Sequence, residues 1–348
     1  MASVGSKRLL VIRFSALGDV AMLVPLIRQV AERYPDWELT MLSRQQYAPL
    51  FQEMPANVRF FGADLRGRHN RLYGLGSLLE DIDYRSFDAV ADMHDVLRSQ
   101  YLRTRMFLAG KRCAHVFKGR VQRWLLVRHT YHHKQPLVPM IERYRAVFTE
   151  LGFRTDGALP VDNGEPRVSV DGSVPRSGRT DIGIAPFAAH RGKIYPIDRM
   201  ERVVEALGKV MAARGEKVLL FGGGDKEQAV LSGWERRYEG VESLACRYKM
   251  DREIEVMRGL RLMLTMDSAN MHLASIAGTR VLSVWGATHP WAGFLGYGQQ
   301  ESDCIQQDLP CRPCSIYGNR FCKYHDYHCL DIPAESVIAR VKDAIGAE

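Results

Sequence analysis

The stretch LRLMLTMDSANMHLASIAGTRVLSVWG (residues 260–286) joins two apolar runs through a short polar break and a second apolar segment. The runs at 260–266 and 280–286 consist mainly of Leu, Met and Val and have the length of buried strands. Residues 269–277, between them, have the pattern of a buried helix. Strand, helix and strand in this order predict a βαβ unit with two parallel strands.

The same alternation runs through most of the chain outside this stretch. It predicts further strands at 8–14, 37–42, 57–61, 87–92, 181–187, 217–222 and 242–245. It predicts further helices at 19–34, 72–82, 96–109, 139–151, 198–213, 225–238, 251–258 and 334–345. We therefore expect the α/β class, with two doubly wound, Rossmann-like parallel sheets facing a cleft.

The length of 348 residues suggests two domains, and the composition indicates where they join. Residues 163–180 are rich in Gly, Pro, Ser and charge and lack periodicity, so we interpret them as a linker. The expected domains are 1–162 and 181–332. The last helix, within 333–348, is a candidate to pack back on the first domain.

Hydropathy and the start of the chain exclude several classes of protein. No apolar run approaches the roughly 18–20 residues that a membrane span needs. The apolar segment near the N-terminus is too short for a secretory signal. The turn after the first strand has no GxGxxG motif, so a dinucleotide site is not supported. We expect a cytoplasmic protein.

Ligands of doubly wound sheets bind beyond the carboxyl ends of the strands, so the residues that follow strands are the candidates for chemistry. Asp19 follows the first strand and is either a helix N-cap, worth about 1 kcal/mol, or a carboxylate that can accept a proton. Lys193 is either a solvated lysine or a phosphate ligand. Asp225 follows three glycines, and Thr288 follows the strand that ends the opening stretch.

The opening stretch contains an anion site formed by the start of a helix. Asp267 and Ser268 end a strand, and Ala269 and Asn270 begin a helix whose free N–H groups and dipole favour an anion. His272 lies within the first turn or so, where it is either a core histidine or a further donor to the same anion. The sequence therefore predicts a phosphate-compatible loop here.

The net charge of +8 is accounted for by one segment. Residues 96–141 contain no Asp or Glu. They carry ten cations: Arg98, Arg103, Arg105, Lys111, Arg112, Lys118, Arg120, Arg123, Arg128 and Lys134. The segment is either a solvated basic face or a surface for a polyanion such as phosphorylated lipid, acidic sugar or nucleic acid.

Five of the seven cysteines lie between residues 304 and 329. Such clustering in a cytosolic chain favours metal or redox chemistry over structural disulfides. Cys311, Cys314, Cys322 and Cys329 have an irregular version of the spacing found in structural zinc sites. A disulfide staple and free thiols are the other two interpretations.

Two motifs resemble those of the bacterial lipopolysaccharide heptosyltransferases, glycosyltransferase family 9. They are VIRFSALGDVAMLVPLI (11–27) and MDSANMHLASIAGTRVLSVWGATHP (266–290). The resemblance implies a GT-B fold and an inverting transfer that needs no metal. It also implies ADP-heptose as the donor and, as the acceptor, the inner core of a lipid A-linked oligosaccharide at the cytoplasmic face of the inner membrane.

The resemblance further implies roles for individual residues. Asp19 matches the catalytic base, and Lys193 matches the lysine that contacts the donor phosphate. The donor-binding residues that it implies are Asp225, Asp267, Ser268, Ala269, Asn270, His272 and Thr288. On the acceptor side, DMHDVLRS (92–99) resembles the family's segment, and with the basic stretch it suggests His94, Arg98, Arg120 and Arg123. Ala269 in place of a frequent glycine, and GATHP in place of GPTDP, leave the nucleotide sugar less well specified.

Three other functions remain open at this point. The first is a family 9 transferase that uses another nucleotide sugar to build a different surface glycan. The second is a nucleic-acid-binding protein acting through the basic 98–134 segment, although neither an RNP-like aromatic pattern nor zinc-finger spacing is present. The third is a silent sugar-binding homologue, which the presence of both base and phosphate residues disfavours.

Overall fold

The structure is a computed structural model that describes residues 7–128, 134–155 and 181–347. The chain forms two compact units, Met1–Gly119 with Met140–Leu159 and Arg120–Pro139 with Pro160–Glu348. The expected linker, 163–180, lies outside the described residues. Residues 120–139, which the sequence analysis assigned to the first domain, belong to the second unit.

The first unit contains a parallel sheet with the strand order β3-β2-β1-β4-β5. Its strands are β1 (Lys7–Ile12), β2 (Trp37–Arg44), β3 (Val58–Ala63), β4 (Ala89–Asp92) and β5 (Arg112–His115). Residues 9–12 of β1 are fully buried, as expected for a central parallel strand covered on both faces. The short strand β5 was not predicted.

The second unit contains a parallel sheet with the strand order β11-β10-β9-β6-β7-β8. Its strands are β6 (Ile182–Ala185), β7 (Val218–Leu220), β8 (Val241–Ser243), β9 (Leu262–Met266), β10 (Val281–Trp285) and β11 (Cys304–Gln306). The βαβ unit predicted from the opening stretch is confirmed, since β9 and β10 are paired in parallel. Strand β11 lies within the cysteine-rich segment and was not predicted.

The α-helices follow the apolar periodicity of the sequence, except α5, which was not predicted. They are α1 (Leu17–Ala21), α2 (Leu23–Arg33), α3 (Arg71–Asp81), α4 (Leu97–Leu108), α5 (Arg120–Leu126), α6 (Met140–Glu150), α7 (Ile197–Ala212), α8 (Asp225–Arg237), α9 (Met250–Arg258), α10 (Ala269–Ile276) and α11 (Ala334–Ile345). The helix predicted at 19–34 is two helices separated at Met22. Pro25 is tolerated because it lies in the first turn of α2, where its missing N–H is not needed.

The C-terminal helix α11 packs in the core of the second unit. Val337, Val341 and Ile345 are buried in the same apolar cluster as the sheet residues of that unit, and α11 lies against α7. This differs from the expectation that the helix crosses back to the first domain. Among the helices in the described part of the chain, none has the length and hydropathy of a membrane span.

Both sheets reverse their strand order beside their first strand. In the first sheet β2 and β3 lie on one side of β1, and β4 and β5 lie on the other. In the second sheet the reversal falls between β6 and β9. Loops on either side of such a switch point separate and leave a crevice for ligands. The loops that follow β1 and β4, and those that follow β6 and β9, are therefore the places to examine.

Candidate active site

Asp19 lies at the switch point of the first sheet, as the third residue of α1. Its Oδ2 atom is 2.7 Å from an Nη atom of Arg13 and accepts a hydrogen bond of 3.2 Å from the backbone N–H of Ala16. The N-cap position belongs to Ala16, so Asp19 is not the N-cap residue. The side chain of Asp19 is 18% exposed and that of Arg13 only 8%, so Asp19 is the more exposed member of the pair, although its Oδ1 atom is buried.

Arg13 is held from three directions by its own unit. Its guanidinium donates to the carbonyl oxygen of Met93 and lies 5.5 Å from the centre of the Tyr144 ring. Its carbonyl oxygen accepts a hydrogen bond of 2.6 Å from the hydroxyl of Ser43. Arg13 was not predicted as a site residue, although a charged residue directly after an apolar strand was a usable signal.

His94 follows β4 and is neutral. Burial lowers the pKa of His94 to about 3, and the cations of Arg13 and Lys118 act in the same direction. The backbone N–H of Phe14 donates to Nδ1 (3.3 Å), so the neutral ring carries its proton on Nε2, 3.4 Å from the Ser15 hydroxyl. His94 therefore binds the loop that precedes Asp19, which is a positioning role in addition to the acceptor role expected from the sequence.

Asp92 explains why the turn after β4 has its shape. Its carboxylate is fully buried and accepts hydrogen bonds from the backbone N–H groups of His94 (2.9 Å) and Asp95 (2.8 Å). Arg103 neutralises it at 2.9 Å. A buried carboxylate with two N–H donors and a cation is well compensated, so this network fixes the position of His94.

The expected acceptor-binding arginines are divided between the two units. Arg98 is the second residue of α4 in the first unit and is partly exposed, and its side chain makes no hydrogen bond or ion pair within the described parts of the chain. Arg120 and Arg123 lie in α5 of the second unit. Arg123 donates to the Tyr317 hydroxyl (2.9 Å) and lies 5.2 Å from the centre of the Phe294 ring.

Much of the basic segment is used for internal hydrogen bonds. Lys111 donates to the carbonyl oxygen of Arg85, Lys118 to that of Asp95, and Lys134 to that of Arg312. Arg103 pairs with the acids near His94. The segment is therefore not a uniformly free polycationic face, which reduces the support for a nucleic-acid surface.

Lys193 and Asp267 form an ion pair at the switch point of the second sheet. The Nζ atom of Lys193, in the 3-10 turn Arg191–Lys193 that follows β6, is 2.8 Å from Oδ2 of Asp267, which follows β9. The lysine side chain is 16% exposed and the aspartate side chain 5%. Here the cation is the more accessible member of the pair.

The start of α10 lies directly beside this ion pair in the chain. Ser268 is the N-cap residue, and its hydroxyl is 3.2 Å from the hydroxyl of Thr265. Ala269 and Asn270 form the first turn and, like Ser268, are partly exposed. The first N–H groups of a helix have no partner inside the helix, so this turn has the donors that an anion needs.

Three other expected donor residues have different surroundings. His272 is buried in α10, and Thr288 is fully buried in the turn after β10. Asp225 is exposed and begins α8. In the glycine loop before α8, the Glu227 carboxylate accepts a hydrogen bond of 2.9 Å from the Gly223 N–H. Glu227 was missed because its bond is to the backbone of a loop that the sequence identified only by its glycines.

The cysteines are free thiols in this structure. In the described ranges, no three His, Cys, Asp or Glu side chains are arranged to hold a metal ion. Two cysteines of the segment lie near other possible ligands: Cys311 Sγ is 3.8 Å from Nε2 of His328, and Cys322 Sγ is 3.7 Å from Oδ1 of Asp326. Burial raises the pKa of the Cys329 thiol to about 12, so the free thiol is protonated. The cysteines thus stand as free thiols in this structure, and the structural zinc site stays a prediction.

Comparison with known proteins gives consistent matches. Residues 75–325 match the family model described as glycosyltransferase family 9 (heptosyltransferase). Lipopolysaccharide heptosyltransferase 1 of Pseudomonas aeruginosa is 25% identical over 323 residues, covering 88% of this chain and 86% of that protein.

Two solved structures share the fold along almost the entire chain. A family 9 glycosyltransferase from Veillonella parvula has a TM-score of 0.71 at 17% identity, covering 99% of this chain and 98% of that one. Escherichia coli heptosyltransferase WaaC with ADP has a TM-score of 0.66 at 16% identity, covering 97% and 99%. The two parallel-sheet units therefore have the fold of the GT-B heptosyltransferases.

Proposed function

Because the chain belongs to glycosyltransferase family 9 and is a glycosyltransferase, we propose that it transfers a heptose from ADP-heptose to the inner core of lipopolysaccharide. The choice of sugar and acceptor is supported by the name of the Pseudomonas relative, a lipopolysaccharide heptosyltransferase. The choice of nucleotide is supported by the WaaC structure, which has ADP.

The observation that carries the proposal is that the acidic residue is the more exposed member of one ion pair and the basic residue is the more exposed member of the other. At the first switch point the side chain of Asp19 is more exposed than that of its arginine partner. At the second, Lys193 is more exposed than its carboxylate partner. An inverting transfer needs an accessible base for the acceptor hydroxyl and an accessible cation for the departing diphosphate, and the two units provide one of each.

On the acceptor side, we propose that Asp19 removes the proton of the attacking hydroxyl as the new glycosidic bond forms. Arg13 holds the Oδ2 atom of Asp19, which fixes the direction of the carboxylate. His94 is neutral and binds the preceding loop, so it is not the base in this scheme. A positioned general base contributes about 10²–10⁴-fold to rate.

On the donor side, we propose that Lys193 and the first turn of α10 stabilise the diphosphate as it gains negative charge. Asp267 holds Lys193 by the 2.8 Å contact. Each preorganised donor is worth about 2.7–4 kcal/mol of barrier in comparable sites. Since an ammonium group and a helix terminus supply positive charge at this point, we propose that catalysis needs no divalent cation.

We propose that an acceptor anion meets cations near Asp19. Arg44, at the end of β2, is close enough to His94 to lower the pKa of that ring. It makes no ion pair with another residue in the described part of the chain. Arg44 was not predicted, yet its place at the carboxyl end of the sheet suits a phosphate or carboxylate of the inner core.

We also propose that the protein works at the cytoplasmic face of the inner membrane as a peripheral protein. Helix α5 exposes Val121 and Trp124, and the Arg128 guanidinium lies 4.2 Å from the centre of the Trp124 ring. An exposed tryptophan with adjacent arginines suits the boundary between lipid headgroups and water. Trp124→Ser should reduce sedimentation with vesicles containing phosphatidylglycerol, and unchanged sedimentation would contradict this part of the proposal.

The proposed activity is tested by offering the purified protein a heptose-free lipopolysaccharide acceptor with ADP-heptose, UDP-glucose or GDP-mannose. We expect a mass increase of one heptose with ADP-heptose alone. An equal or faster transfer from a UDP or GDP sugar would replace the proposed donor while leaving the family assignment unchanged.

A further inference from the structure

Arg312 is a buried arginine in the cysteine-rich segment, close to the turn that follows β10. The residue is 5% exposed. Its guanidinium donates to the carbonyl oxygens of Gly286 (2.6 Å), Thr288 (2.9 Å) and Trp285 (3.3 Å). It also donates to the side chain of Gln306 (2.9 Å) and to the carbonyl oxygen of Gln307.

This arrangement fixes the turn at 285–288. Burial of a guanidinium is costly, and burial lowers the pKa of Arg312. The cost is offset because one planar group supplies several N–H donors in a fixed geometry. Three of its acceptors are carbonyl oxygens at the end of β10 and in the turn, so the turn cannot shift without breaking these bonds.

The same turn contacts the loop that carries Lys193. The backbone N–H of Ala287 donates to the carbonyl oxygen of Gly192 (2.8 Å). On the other side, the carbonyl oxygen of Ala287 accepts from the N–H groups of Cys314 (3.0 Å) and Ser315 (3.2 Å). The turn therefore joins the Arg312 segment to the residue before Lys193.

Gly318 gives a second contact between the cysteine-rich segment and Lys193. A Cβ atom at Gly318 would lie 2.6 Å from Cγ of Lys193, so only glycine allows the lysine stem to pass. Its φ of 75° is also in the region that favours glycine. The segment thus contacts both the stem of Lys193 and, through the turn, its backbone.

We propose that Arg312 is a positioning residue for the donor: it fixes the 285–288 turn and through Gly192 sets Lys193 against the leaving diphosphate. The inference rests on the proposed function only for the role of Lys193 as a diphosphate ligand. It gives the cysteine-rich segment a function that requires neither metal nor disulfide.

A matched control lies at the opposite end of the same strand. Arg280 precedes β10 and donates two hydrogen bonds, of 2.9 and 2.8 Å, to the carboxylate of Asp303. Arg280 stabilises the same unit, but at the start of β10, whereas the 285–288 turn begins at the end of that strand. Arg280→Ala therefore reports on the general cost of losing a structural arginine beside β10, without touching the contacts to Gly192 or Lys193.

The test compares Arg312→Ala, Arg312→Lys and Arg280→Ala by nucleotide binding and steady-state kinetics. Calorimetry with ADP, UDP and GDP first identifies the diphosphate that the wild type binds best. We expect Arg312→Ala to weaken that binding at least tenfold and to lower kcat, with the acceptor KM unchanged. Arg312→Lys should recover part of both losses, and Arg280→Ala should remain within twofold of wild type.

The possible results separate this inference from the proposed function. A preference of the wild type for UDP or GDP would contradict the proposal that the donor carries ADP. The Arg312 variants would then be compared with the nucleotide that the wild type prefers. Binding and kcat of Arg312→Ala within twofold of Arg280→Ala would overturn the role of Arg312. If Arg312→Ala does not fold, Arg312→Lys is compared with Arg280→Ala instead, because an ammonium group cannot reproduce the several fixed donors of the guanidinium. Binding and kcat of Arg312→Lys equal to those of Arg280→Ala would then overturn the inference.

Discussion

The two switch points have the same parts in opposite order of exposure. Each has one carboxylate and one cation in an ion pair, at 2.7 Å in the first unit and 2.8 Å in the second. In the first, the buried Arg13 fixes an accessible Asp19. In the second, the buried Asp267 fixes an accessible Lys193. The partner that lies deeper is the counterion, and the one nearer solvent is the one for which we propose a role with substrate.

We propose that this difference lets two similar sheets serve different halves of one reaction. A carboxylate is useful to an incoming hydroxyl, and an ammonium group is useful to a departing diphosphate. Neither role follows from the fold, which both units share. Each role depends on which residue of the pair is more deeply buried. Substitutions that break the two ion pairs separately test this dependence.

The largest effect is expected from Asp19→Asn. The amide keeps the shape of the side chain but cannot accept the proton, so turnover should fall by about 10²–10⁴-fold. Rate measurement with saturating donor and acceptor checks this. Asp81→Asn is the matched control, since Asp81 also pairs with an arginine of the first unit, Arg68, at 2.6 Å. A variant that keeps more than a tenth of wild-type turnover would rule out Asp19 as the base.

A somewhat smaller loss is expected from Lys193→Met, which keeps the length of the stem and removes the charge. The rate should fall by about 10²–10³-fold, as when one donor to a developing anion is removed. The ratio of ADP to AMP affinity should fall as well, because the lost contact is to diphosphate. An unchanged ratio would mean that Lys193 acts elsewhere.

Asp267→Asn should cost less than Asp19→Asn, although the chemical change is identical. Asp267 only holds Lys193, and the amide oxygen can still accept a hydrogen bond from the ammonium group. We expect about a tenfold loss of kcat/KM, equivalent to about 1.4 kcal/mol. Parallel kinetics of the two Asn variants measure the difference directly. Equal losses would contradict the assignment of unequal roles to the two carboxylates.

The last prediction concerns stability rather than rate, through the pH dependence of unfolding at His94. The pKa of His94 is about 3 in the native protein against an ordinary value of 6.5. Between these values only the unfolded chain binds the proton, so the free energy of unfolding falls with falling pH, by at most about 1.4 kcal/mol per unit. His94→Gln removes this contribution.

The measurement for His94 is chemical denaturation of wild type and His94→Gln across pH 8 to 4. The difference in stability between the two proteins should be constant above pH 7 and should shrink as the pH falls below 6.5. Parallel curves throughout that range would show that the native His94 titrates at its ordinary pKa.

The sequence predicted the long central elements well because burial on two faces leaves a clear signal. β1, β9 and β10 were expected from continuous apolar runs. β5 and β11 have four and three residues and include polar side chains, so no pattern distinguished them from loops. The apolar periodicity likewise gave no sign that the predicted first helix divides into α1 and α2.

The residues of the candidate site also differ in how far the sequence could predict them. Asp19, Lys193 and Asp267 could be singled out because each follows a strand, where the doubly wound topology collects ligand-binding residues. Arg312 could not, since the atoms it binds are backbone oxygens more than twenty residues earlier in the chain. Such contacts depend on tertiary packing and leave no trace in local composition.

The account is tested most directly by the ADP dissociation constants of Asp19→Asn and Lys193→Met, measured side by side by calorimetry. If the exposed members of the two pairs serve different substrates, Asp19→Asn should bind ADP within twofold of wild type, and Lys193→Met should bind it at least tenfold more weakly. Equal weakening in both variants, or weakening in Asp19→Asn alone, would contradict it.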